Sequence, residues 1–132
     1  MTWTVFKKEI LSLSQKIDFK PDILVGIVRG GLVPTRLLSN ILKVKNVYCL
    51  TVNKIAQKRK VQTEIKVNLK NKKILLIEDI LETGKSLIEA KKYLELQGAN
   101  IKTASLYIMP RSEIKPDFYL KTIYNLVKFP WE

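Results

Sequence analysis

The chain has 132 residues, 46% of them hydrophobic and 27% charged, a composition that fits one globular domain with one core rather than a disordered segment. Lys and Arg outnumber Asp and Glu by 24 to 12, a formal charge of +12, and the absence of histidine removes every mechanism built on a His base or a His metal ligand. The lone Cys49 offers no disulfide framework, no apolar run reaches the ~18 residues of a membrane span, and MTWTVFKKEI lacks a signal layout, so a soluble cytoplasmic protein without a membrane partner is expected.

Val5, Phe6, Ile10, Leu13 and Ile17 recur at helical spacing, which predicts an amphipathic helix over 4–17, broken at Pro21-Asp22. ILVGIV (23–28) is a short branched apolar run and reads as a buried strand. RGGLVP (29–34) reads as a turn freed by its paired glycines, and TRLLSNIL (35–42) as the next helix. VYCLTV (47–52) reads as a second strand. Residues 53–73 turn polar and Lys-rich, with VQTEIKV (61–67) alternating like an exposed strand, so this segment reads as a mobile loop (about 53–66) carrying a hairpin arm. KILLIE (73–78) is a third buried strand, Ser86 to Gln97 a helix stopped by Gly98 at C′, and KTASLYIM (102–109) a fourth strand. The tail from Pro110 to Glu132 reads as irregular with short strands. Apolar strands alternating with helices predict an α/β fold, a central parallel sheet flanked by helices. In such sheets ligands bind beyond the carboxyl ends of the strands, so the turns at 29–34 and 79–86 should open on one rim.

The stretch ILLIEDILETGKSL (74–87) contains Gly84-Lys85-Ser86, the tail of a nucleotide-triphosphate P-loop. A P-loop needs glycine five positions before Gly84, and that position is Asp79, whose carboxylate would repel the phosphates. The acids suit another ligand. Adjacent carboxylates at a strand end accept hydrogen bonds from two vicinal hydroxyls or attract a divalent cation. Free N–H groups at a helix start, with the Thr83 and Ser86 hydroxyls, form a site for a phosphate monoester. A diol site and a phosphate site one turn apart suit a ribose 5-phosphate; the bland alternative is that the acids are ordinary helix caps. The basic excess has the same two faces, a solvated surface or a site for polyanions.

At these residues the chain resembles the type I phosphoribosyltransferases: ILLIEDILETGKSL is similar to their motif for 5-phosphoribosyl 1-diphosphate (PRPP). GIVRGGLVP (26–34) resembles the pyrophosphate loop of the xanthine-guanine and hypoxanthine branch, and KPDFY (115–119) with the closing FPWE resembles the C-terminal hood of small archaeal-type members. The resemblance implies a single domain over 1–132, with a hood at about 110–132, and a purine salvage enzyme. It would convert a purine base and PRPP to a nucleoside 5′-monophosphate and pyrophosphate, with Mg²⁺ as cofactor and a homo-oligomeric assembly.

Residue by residue, the resemblance puts Glu78 and Asp79 at the ribose hydroxyls, directly or through Mg²⁺. Glu82, Thr83, Gly84, Lys85 and Ser86 would surround the 5-phosphate, and Val28, Arg29, Gly30 and Gly31 the pyrophosphate, with a cis Val28–Arg29 peptide. Arg29 and Glu82 would be catalytic, Arg29 on the leaving group and Glu82 near N7 of the base. Lys54, Lys58, Arg59 and Lys60 are the basic groups available to a loop closing over the site. The base would meet Ile80, Met109, Leu126 and Val127. Two of these depart from the family pattern: Met109 stands where a lysine donates to the purine 6-oxygen, and Leu126 where an aromatic ring stacks. A 6-oxo group facing Met109 loses a hydrogen bond, so adenine on a 6-oxopurine-type scaffold is the expected base, with hypoxanthine, guanine or xanthine as the alternative. The rival of another class is a phosphoribosyltransferase-fold regulator binding RNA or DNA; 132 residues leave no room for an added DNA-binding domain, and nucleic acid is not the expected partner.

Overall fold

The computed structural model describes residues 1–132. Six strands form one sheet in the order β3-β2-β1-β4-β5-β6, all parallel except β3, with three helices on its faces. The elements are α1 (Trp3–Lys16), β1 (Ile23–Val28), α2 (Leu32–Leu42), β2 (Val47–Ile55), β3 (Lys58–Val61), β4 (Lys73–Leu81), α3 (Lys85–Leu96), β5 (Asn100–Ile108) and β6 (Phe118–Thr122). This is the α/β fold, a central sheet flanked by helices, expected from the alternation of apolar strands and helices.

The sheet divides the core in two, because successive side chains of a strand point to opposite faces. Val25, Ile27, Ile74 and Leu76 pack with Leu87, Ala90 and Leu94 of α3; Leu24, Leu75 and Ile77 pack with Phe6, Ile10 and Leu13 of α1 and Leu38 of α2. Each of these side chains larger than alanine, once buried, contributes about 1.5–3 kcal/mol relative to exposure. Within α1, Thr2 caps the first turn by accepting from the Val5 N–H, and Val5 itself is exposed rather than part of the buried stripe.

Four local expectations change. Helix α2 starts at Leu32, inside the segment read as a turn, because Pro34 falls in the first turn, where its missing N–H would be unpaired anyway. Strand β2 runs on to Ile55 and reverses through Ala56 and Gln57, both at positive φ, the two-residue turn that matches strand twist; the hairpin arm is therefore 47–61. Beyond Val61 the chain leaves the sheet instead of forming an exposed strand: Ile65 is buried, and its N–H donates to the Tyr93 hydroxyl on α3 (3.1 Å). Strand β4 does not stop at Glu78. Its pairing with β1 ends at Gly26–Ile77, while its pairing with β5 continues to Leu81–Ile108, so residues 78–81 are held on one side and open on the other.

The tail returns over α1. Phe129 is buried, Trp131 stacks on it (4.6 Å between centroids, 6° between planes) and meets Phe6 edge-on (4.9 Å).

Candidate active site

The two turns that follow β1 and β4 do meet on one rim. After β1 the Val28–Arg29 peptide is cis, and the chain passes through Gly30 and Gly31 into α2. Neither glycine has room for a side chain. A Cβ on Gly31 would stand 2.4 Å from the Ile77 carbonyl oxygen and 2.8 Å from the Ile27 backbone; one on Gly30 would stand 2.5 Å from the Asp79 carboxyl. The first contact seats the loop on β4, and the second brings it against the acid pair.

Glu78 and Asp79 lie where β4 has lost its β1 neighbour. Asp79 is buried, and its Oδ1 accepts from the Ile80 N–H (2.7 Å); Glu78 Oε1 accepts from the Asp79 N–H (3.3 Å). No basic side chain pairs with either acid. Burial therefore dominates: it pushes the Asp79 carboxyl up to about 6, assisted by the charge of Glu132, and lifts Glu78 well above the usual carboxylate range, assisted by the charge of Asp79. A buried Asp79 and a half-buried Glu78 without a counter-charge form a site for hydroxyl donors or a cation.

The helix-start turn closes the other end. Gly84 has φ +77, a conformation L side chains rarely adopt, and a Cβ there would meet Ile114 (2.6 Å) and Ser112 (2.7 Å). Gly84 thus serves the packing of the turn on the segment after β5, as well as its shape. That segment also holds the turn through the Glu113 N–H donating to the Thr83 carbonyl (2.7 Å). The first-turn N–H groups of α3 have no intrahelical partner and face a small cavity of about 210 Å³, lined by Thr83 to Leu87 with Arg59, Glu78 and Glu82. A larger cleft of about 890 Å³ adjoins it, lined by Val28, Arg29, Gly30, Asp79, Trp131 and Glu132; Arg59, Glu78, Ile80 and Glu82 line both.

The residues expected at the sugar, the 5-phosphate and the pyrophosphate are thus brought together. Gly31 supports the turn after β1 from beneath, against Ile77, and is not among the residues lining the cleft. The residues expected at the base are not all gathered. Ile80 lines both cavities, but Met109 is buried with its N–H on the Leu81 carbonyl (2.9 Å), Leu126 is 60% exposed, and Val127 packs on the α1 side of the core. Three residues at the site lie outside the expected set, and among the basic hairpin candidates one is singled out. Arg59 was one of several basic candidates; the alternating burial of Lys58–Val61 turns it toward the site and leaves Lys58 and Lys60 outside, a pattern that strand periodicity could have revealed. Trp131 and Glu132 reach the cleft through the returning tail, and Arg111, which lines neither cavity, pairs with Glu82 (Nη2–Oε2 2.9 Å). No local pattern announces these three.

The donor set suits Mg²⁺. Nowhere do three or more Asp, Glu, Cys or His side chains gather into a cage. Mg²⁺ is commonly held by one or two carboxylates with substrate phosphates and water completing its shell, and Glu78 and Asp79 beside an anion-binding turn provide that arrangement.

Comparison with known proteins agrees with this geometry. The model of the phosphoribosyl transferase domain family matches residues 4–132. A hypoxanthine-guanine phosphoribosyltransferase of Lactococcus lactis is 34% identical over 128 residues, covering 86% of this chain and 67% of that protein. An orotate phosphoribosyltransferase of Oceanobacillus iheyensis is 39% identical over 92 residues, covering 70% of this chain but 44% of that protein. The chain thus spans about two thirds of the first relative and under half of the second. Among solved structures, a purine phosphoribosyltransferase from Pyrococcus horikoshii superposes with a TM-score of 0.93 at 32% identity, covering 100% of this chain and 91% of that one. A xanthine-guanine-hypoxanthine phosphoribosyltransferase of Helicobacter pylori gives 0.85 at 29%, covering 99% and 90%.

Proposed function

The chain belongs to the phosphoribosyltransferase family, in the purine branch of the type I fold, and from that premise we propose that it joins a purine base to PRPP, giving a nucleoside 5′-monophosphate and pyrophosphate. One observation carries the reading: the Glu78-Asp79 pair, the start of α3 and the Val28–Gly30 turn open into two adjoining cavities of one site.

In this reading the α3 first-turn N–H groups and the Thr83 and Ser86 hydroxyls hold the 5-phosphate. Glu78 and Asp79 accept from the ribose 2- and 3-hydroxyls. Arg29 and the Gly30 backbone hold the diphosphate, Gly31 fixes that backbone on β4, and Arg59 spans the two cavities from the hairpin. Glu78 and Asp79 would hold Mg²⁺, which would supply positive charge to offset that developing on the leaving diphosphate. The purine lies in the larger cleft between Ile80 and Trp131. Its N9 lone pair forms the bond to the anomeric carbon as the bond to the diphosphate oxygen breaks, and that electron pair leaves with the diphosphate. The proton left on the purine ring goes to Glu82. Positioning and charge are all this displacement asks of the protein.

Two observations bear on the base. Adenine is favoured by the absence of a side-chain donor at Met109, and hypoxanthine or guanine by the names of the relatives. PRPP titrated with Mg²⁺ while the amide resonances of 79–86 are followed tests the sugar-phosphate site. Those resonances are expected to move, and an unmoved set sinks the enzyme reading whatever the base.

A further inference from the structure

We propose that Arg111 reads the substituent at C6 of the purine and makes this a site for 6-oxopurines, an inference that rests on the purine phosphoribosyltransferase reading above. Arg111 lies two residues beyond Met109, and its Nη2 donates to Glu82 Oε2 at 2.9 Å. Glu82 lines both cavities, so it stands where the sugar-phosphate site meets the base cleft. Its other carboxylate oxygen has no protein partner, and the guanidinium has four further N–H donors. Arg111 itself lines neither cavity, but its bond to Glu82 sets a donor beside the acceptor at the edge of the cleft.

The chemistry of attack decides how a purine meets that pair. N9 can attack only with its lone pair free, which in a neutral purine puts the imidazole-ring proton on N7. Glu82 is the carboxylate available to accept from N7–H, and it takes that proton as the N9–C1′ bond forms and the diphosphate leaves. The atom next to N7 along this edge is the substituent on C6. A guanidinium already bonded to the Glu82 carboxylate lies alongside it. An oxygen at C6 accepts from Arg111; an amino group there sets donor against donor and leaves one of them unpaired on leaving water. Met109 is buried with its backbone engaged by Leu81, so the donor that β5 lacks at its end comes from two residues later.

Arg111 and Glu82 are 60% and 45% exposed, and an ion pair that open to solvent adds little to the fold, so replacing Arg111 tests recognition rather than folding. The experiment measures kcat/KM for hypoxanthine, guanine and adenine at saturating PRPP and Mg²⁺, for the wild type, Arg111→Met and Arg111→Lys. IMP and AMP affinities by tryptophan fluorescence give a readout independent of turnover. The wild type should prefer hypoxanthine over adenine by about tenfold or more, Arg111→Met should lower that ratio by about ten- to a hundredfold, and Arg111→Lys, which keeps a donor, should recover most of it. The IMP:AMP affinity ratio should follow. A wild type that prefers adenine, or a ratio that Arg111→Met moves by less than about twofold while purines are still turned over, overturns the proposal and leaves the purine reading standing. No turnover with any purine overturns both.

Discussion

The α-carbon of Gly30 lies directly against the carboxyl group of Asp79: a Cβ on Gly30 would stand 2.5 Å from the Asp79 Cγ and from both carboxyl oxygens. The loop proposed for the diphosphate and the acid proposed for the ribose are thus in contact. Gly30→Ala should push the Asp79 side chain aside at modest expense in stability, about 1 kcal/mol, while lowering kcat/KM for PRPP by about a hundredfold. Gly31→Ala meets backbone on both sides and cannot be relieved by a side chain turning; it should destabilise by about 3 kcal/mol. Urea unfolding and steady-state kinetics on the two variants check the contrast, which fails if Gly30→Ala keeps full activity.

The ligand-free protein should lose stability as pH rises, through these acids. The Asp79 carboxyl is lifted from 3.8 to about 6 on folding, so its contribution is fully present below the unfolded value and is lost as pH rises through about 6. That difference corresponds to about 3 kcal/mol, and Glu78 acts in the same direction. Asp79→Asn, which does not titrate, should therefore gain stability relative to the wild type between pH 4 and pH 7. Paired urea melts across that range measure it; a wild-type-to-variant difference flat with pH contradicts the assignment.

Arg59 is the basic hairpin residue that lines both cavities, whereas Lys58 and Lys60 are exposed and line neither. Arg59→Met should lower kcat/KM for PRPP by about ten- to a hundredfold, through lost charge-assisted bonds to phosphate. Lys58→Ala and Lys60→Ala should each change it by less than about threefold. Equal effects of all three would mean that only the summed charge matters, and added salt would then erase them alike.

Phe129 is buried and carries Trp131 stacked upon it. Phe129→Ala should destabilise by about 3 kcal/mol and let the Trp131 ring move, raising KM for the purine more than KM for PRPP. Thermal melts with separate KM determinations distinguish this from a general loss of folding, which would lower the active fraction without changing either KM.

The outcomes at particular elements show why the sequence was informative where it was. ILLIE and ILVGIV are strands because they are buried on both faces, and their branched apolar runs say so without knowledge of their neighbours. The Glu78–Ser86 motif was legible because the features in it, three acids, two hydroxyls and a glycine, lie within nine consecutive residues. VQTEIKV misled because alternation describes only whether side chains can face two environments. Ile65 finds its second environment against α3 and not in a sheet.

By itself the sequence determined the layered α/β fold, the two glycine-bearing turns and the acid pair, since each depends on chemistry between residues close along the chain. Only the tertiary structure decided that Gly30 abuts Asp79, that Arg59 and not its lysine neighbours faces the cavities, that Arg111 pairs with Glu82, and that Trp131 and Glu132 close the cleft. Those contacts join separate elements of the chain, and the packing of the whole sheet and its returning tail sets them; local periodicity carries no record of it.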